Sequence, residues 1–121
     1  MTLKIKNGIY HIPLELPWSS PGFVNVYLID DTDGFVMIDC GVYGDHYFEL
    51  LSKKLEEIDI SFSEIKLLIG THMHSDHIGL SEKIRGQGIP FALYKNSIDF
   101  LDKYNDWTMR YKELKDYAIT Q

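Results

Sequence analysis

Disulfide bonds play no part in this chain's fold, because its 121 residues include a single cysteine, Cys40, with no internal partner. Such cysteine usage suits a reducing compartment. No apolar run approaches the ~20 residues needed to span a bilayer, and the amino end, MTLKIKNGIYHIPLEL, lacks the continuous apolar stretch of a signal peptide. The expectation is a cytoplasmic protein with no membrane partner. Positive charge is also sparse. Twelve Lys and Arg stand against 18 Asp and Glu, for a net charge of -6. No basic run is interleaved with aromatics to follow a phosphate backbone, so nucleic acid is not an expected partner. Low-complexity tracts are missing, and hydrophobic residues make up 45% of the chain against 25% charged. The length supports one hydrophobic core and not two.

The residues that are present change period along the chain. KIKNGIYHIPL predicts strands around a turn at Asn7-Gly8, and FVNVYLID with GFVMIDC predicts a hairpin joined by DTDG. Between these pairs PWSSPG enforces a loop and leaves Trp18 outside any periodic core pattern, as an exposed residue. From Gly44 the spacing turns helical. Phe48, Leu51, Leu55 and Ile58 share one face over 45–58, Asp45 can cap the start, and Glu49 precedes Lys53 at i, i+4. EIKLLIG then reads as a buried strand, HIGLSEKIRGQG as a short helix ended by Gly86 or Gly88, and IPFALY as another buried strand. That order predicts a parallel crossover and an α/β fold. From Ser97 onward Ile98 and Leu101, then Trp107, Tyr111, Leu114 and Ala118, predict one or two closing helices.

Histidine is scarce, five in all, yet three of the five crowd into THMHSDHIG at 71–79. His72 and His74 sit two apart after a strand, where i and i+2 face the same side, so both imidazoles can reach one ion. Asp76 and His77 come where the chain turns into a helix; their side chains are expected to diverge from the first pair and to serve a second ion. Two cations about 4 Å apart share a water and bring its pKa toward ~7, which permits hydrolysis without a serine or cysteine nucleophile. Imidazole and carboxylate donors favour zinc, with iron or manganese also allowed. The plainer alternative makes Ser75 or Asp76 only the cap of the following helix.

The stretch HMHSDH at 72–77, following a buried strand, resembles the H-x-H-x-D-H hallmark of the metallo-β-lactamase superfamily. NVYLIDDTDGFVMIDCG is similar to that family's hairpin ending in an aspartate-small-glycine turn, with Asp39 at the aspartate. The resemblance implies the amino-terminal half of an αβ/βα sandwich, a mixed sheet with helices on one face, spanning 1–121 as a single incomplete domain. It implies His72 and His74 on a first metal, and Asp76 and His77 on a second. Asp76 would also orient the attacking water, and Asp39 would hold the ligand loop in place. Cys40, where the family often has Thr or Ser, would be a small buried filler.

The family completes its site with a third histidine, a bridging aspartate and a final histidine downstream, but no histidine follows His77. His11 and His46 match no ligand position, and Asp99, Asp102, Asp106 and Asp116 look like a solvated helical face. Two protein donors per metal fall short of the three of a catalytic zinc. The chain alone is therefore expected to bind metal weakly and to hydrolyse poorly. It should also leave a sheet face uncovered, to be closed by a homodimer partner or by the missing carboxy-terminal half. The loop PLELPWSSPGFVNVYLI looks similar to the glyoxalase II-like and lactonase-like branches, which implies a small thioester, lactone or ester substrate; a β-lactam or phosphodiester stays open. The alternative function is a non-catalytic, self-associating half-domain that binds metal or a protein partner.

Overall fold

The structure, a computed structural model, describes residues 3–20 and 22–98. Leu3–Lys6 (β1) turns back through Asn7 and Gly8 into Ile9–Glu15 (β2). Gly8 takes φ 81°, a left-handed value that a side chain would resist. Phe23–Asp30 (β3) and Phe35–Ile38 (β4) make the second expected hairpin. Ile65–Ile69 (β5) and Phe91–Ala92 (β6) complete a six-stranded sheet in the order β1-β2-β3-β4-β5-β6. Pairing is antiparallel from β1 to β4 and parallel across β4, β5 and β6, so the sheet is mixed.

Side-chain alternation decides which face is covered. Ile12 and Leu14 from β2, Val24, Val26 and Leu28 from β3, Met37 from β4 and Leu68 from β5 are buried. The register places Leu28, Met37 and Leu68 side by side as one rung. Asp45–Glu57 (α1) adds Leu51 and Leu55 to this core. Ser75–Ile78 (α2) is a single turn, and Ser81–Arg85 (α3) adds Ile84 behind the buried Leu80. The helices therefore cover one face of the sheet, as the resemblance implies.

The start of α1 differs from expectation: its cap is Gly44, without a side-chain hydrogen bond, and Asp45 instead pairs with Lys83 at 2.8 Å. A cap contributes about 1 kcal/mol, whereas burying each of Leu51 and Leu55 contributes roughly 2 kcal/mol, so packing holds the helix. HIGLSEKIRGQG breaks into α2 and α3 around Gly79, and α3 ends at Gly86. IPFALY pairs only through the two residues of β6. Trp18 is half-buried against the core, with its indole Nε1 buried and lacking a partner among the described residues.

β5 is buried on one face only. Ile65 and Leu68 face the core while Leu67 and Ile69 stay half-buried. Its register against β4 shifts between Phe35 and Val36, and Lys66 reaches Asp31 and Asp33 of the DTDG turn at 2.8 and 2.6 Å. On the sheet's other face Ile9, Ile29, Val36 and Leu67 align in one row, and His11, Tyr27, Ile38 and Ile69 in the next. None of these eight belongs to the buried core. A helical turn starts at 95–98. The expected helix positions Trp107, Tyr111, Leu114 and Ala118, and the acids Asp99, Asp102, Asp106 and Asp116, lie outside the described residues. No helix among the described residues is long and apolar enough to cross a membrane.

Candidate metal centre

Because β4 and β5 are parallel, their carboxyl ends lie side by side, and this brings Asp39 beside the histidine loop. Asp39 has φ 64°, a left-handed conformation that aspartate tolerates better than most residues. The backbone joins the two segments directly. Asp39 N donates to Ile69 O, Cys40 N to His77 O, and Gly79 N to Gly41 O, each at 2.8 Å. α2 is thereby fastened to residues 39–41.

Asp39 is only 3% exposed, yet its carboxylate is well supplied with donors. Oδ1 accepts the Thr71 backbone N–H at 2.8 Å, while Oδ2 accepts the Thr71 hydroxyl at 2.7 Å and lies 2.8 Å from His77 Nδ1. Burial alone would push the Asp39 carboxyl up, but the hydrogen bonds from His77 and Thr71 outweigh it and hold the carboxyl below the usual range. His77 is pushed up by its hydrogen bond to Asp39 against the effect of burial. Its other nitrogen, Nε2, lies 3.6 Å from Asp76 Oδ2. His72 is pushed down by burial and then by the neighbouring His77 and His74.

The structure brings the four predicted residues together. The His72 ring centroid is 4.5 Å from that of His74 and 3.9 Å from that of His77, and Asp76 is buried at the start of α2. His77 does not diverge from the first pair, because Asp39 draws its Nδ1 back toward β4. Neither Ser75 nor Asp76 caps α2, since His74 occupies the cap position and no side chain bonds there. Thr71, which no sequence pattern singles out, is the residue that joins Asp39 to His72, its Oγ1 lying 2.9 Å from His72 Nδ1. Its only signal is a hydroxyl directly before the first histidine of the cluster.

Cys40 is a buried filler whose thiol burial pushes up to about 12, which disfavours the thiolate a metal would need. His11 bonds Asn25 at 2.8 Å and stacks on Tyr27, and His46 packs on Tyr47. Both make local contacts. The donor set suits a cation in chemistry: three imidazoles and a carboxylate, with His72 and His77 each held at one nitrogen so that the other is left for a ligand. No three His, Cys, Asp or Glu side chains among the described residues converge as a metal site. The cluster fits a metal in donor type rather than in donor number.

A family model, the metallo-beta-lactamase superfamily, matches residues 19–115, and the chain belongs to that superfamily. Its members are in general hydrolytic metalloenzymes that bind metal ions, commonly zinc. A metallo-beta-lactamase family protein from Thermus thermophilus is 28% identical, with a TM-score of 0.65 over 71% of this chain and 28% of that one. A beta-lactamase from Chitinophaga pinensis is 23% identical, with a TM-score of 0.60 over 74% of this chain and 31% of that one. BJP-1, a subclass B3 metallo-beta-lactamase of Bradyrhizobium japonicum, is 20% identical, with a TM-score of 0.61 over 74% and 31%. The last two share the fold. The chain spans between 28% and 31% of the length of these three structures. No curated protein matches it.

Proposed function

We propose that this chain forms part of a metal-dependent hydrolase acting on a small thioester, lactone or ester. His72, His74, Asp76 and His77 are its ligands for up to two ions, zinc ahead of iron or manganese. The observation carrying this reading is the gathering of those four side chains where β5 ends, with Asp39 holding one of the rings. When bound, the metal supplies acidity to a coordinated water and withdraws electrons from the carbonyl under attack. The chain's own contribution is positional. Asp39 retains Nδ1 of His77 and turns Nε2 toward Asp76, while buried Asp76 is the carboxylate suited to orient the attacking water.

The choice of thioester, lactone or ester rests on the likeness of the PLELPWSSPGFVNVYLI loop to the glyoxalase II-like and lactonase-like branches. A cytoplasmic location rests on the single cysteine, which suits a reducing compartment. A second reading, a self-associating half-domain without catalysis, is favoured by the open row Ile9, Ile29, Val36 and Leu67. In either case a second copy of the chain or a carboxy-terminal half covers that face.

Elemental analysis alongside oligomeric mass tests both readings. Zinc approaching one ion per chain in an assembled species supports the hydrolase, and substitution by His72→Ala or Asp76→Ala should lower the bound metal. Unchanged metal content in both variants would remove these residues as ligands. Metal-loaded protein assayed on thioester, lactone, β-lactam and phosphodiester panels then separates hydrolase from inert half-domain.

A further inference from the structure

We propose that Thr71 is a positioning residue whose hydroxyl sets the tautomer of His72. The available protons decide it. Asp39 Oδ1 faces the Thr71 backbone N–H, which only donates, and Oδ2 faces Thr71 Oγ1 at 2.7 Å and His77 Nδ1 at 2.8 Å. An ionised carboxylate accepts from all three. Thr71 has one hydroxyl proton, and it is directed at the buried carboxylate. Oγ1 then offers only lone pairs to His72 Nδ1, 2.9 Å away, so Nδ1 must carry a proton. A neutral imidazole has one N–H, which leaves Nε2 of His72 bare.

The exposed histidine side chain in water favours the opposite form, with the proton on Nε2, so the bond to Thr71 acts against the default. Asp39 bonds His77 directly but reaches His72 only through Thr71. One buried carboxylate, extended by a hydroxyl, thereby holds Nδ1 of both rings and leaves Nε2 of His72 bare. The use of that nitrogen for a metal rests on the function proposed above; the tautomer itself does not.

The test is long-range 1H–15N correlation spectroscopy of the full chain, metal-free and 15N-labelled, at pH 8, with His72 assigned by comparison with His72→Gln. Wild type should show His72 protonated at Nδ1. Thr71→Val should move that proton to Nε2, and Thr71→Ser should retain the wild-type pattern. A proton on Nε2 in the wild type, or an unchanged His72 pattern in Thr71→Val, would overturn the proposal. If Thr71→Val does not fold, the wild-type tautomer and its retention in Thr71→Ser decide the matter. Cobalt(II) titration separates this from the metal reading. With metal binding intact, Thr71→Val should weaken it roughly tenfold or more. A wild-type chain that shows the tautomer but takes up no cobalt refutes the ligand roles and leaves Thr71 in place.

Discussion

Asp39 and Cys40 are adjacent, buried and opposite in behaviour. Hydrogen bonds hold the Asp39 carboxyl low despite burial, whereas burial with little compensation pushes the Cys40 thiol up to about 12. The thiol makes a pH prediction. In the unfolded chain it titrates near ~8.5; below that value both states are protonated and its contribution to stability is complete. Above it the unfolded state loses the proton first, so stability falls by up to about 1.4 kcal/mol per pH unit until the folded thiol also ionises near about 12. Cys40→Ser has no such titration. Urea denaturation between pH 7.5 and 10.5 should show the wild type losing stability more steeply than Cys40→Ser, and parallel curves would refute the assignment. At this scale Asp39 was legible through the likeness of its turn to the superfamily's hairpin. Thr71 was not, because its bonding partner lies 32 residues away.

Elements held by packing read differently from elements held by local signals. α1 was legible from its apolar spacing, and its missing cap did not matter beside the burial of Leu51 and Leu55. α2 is too short to persist as an isolated helix, and it stands because Cys40 and Gly41 bond His77 and Gly79. Gly79 allows that approach. A Cβ there would run into the backbone at Val42 and Tyr43. Gly79→Ala is therefore expected to cost about 1–3 kcal/mol by overpacking and to disturb the histidine cluster with it. Thermal or urea unfolding checks this: a variant within about 0.5 kcal/mol of the parent, an ordinary surface change, would show that α2 is not tightly seated on 41–43. The break of HIGLSEKIRGQG into two helices was hidden for the same reason, since the seat belongs to another part of the chain.

Across the whole molecule, one sheet face is covered by helices and the other carries the aligned apolar row Ile9, Ile29, Val36 and Leu67 without a described covering. Ile29, within that row, is 37% exposed. An apolar patch of that kind marks an interaction surface, so the chain is expected to associate at micromolar concentration. Val36→Lys, in the register of Ile29 and Leu67, should raise the monomer fraction in sedimentation velocity while leaving the helical circular dichroism unchanged. A monomeric parent chain would count heavily against self-association and in favour of a different covering element.

The sequence by itself determined the hairpins, the helical face of α1 and the ligand-rich stretch HMHSDH, while Asp39 was legible through the family resemblance. The first three depend on spacing within a few residues, where backbone geometry alone orders the side chains. Only the tertiary structure decided that His77 folds back against His72, that Thr71 links Asp39 to His72, and that β5 buries one face rather than two. Those outcomes follow from the parallel pairing of β4 with β5, which sets groups 32 and 38 residues apart within hydrogen-bonding distance. No local period encodes a contact of that separation.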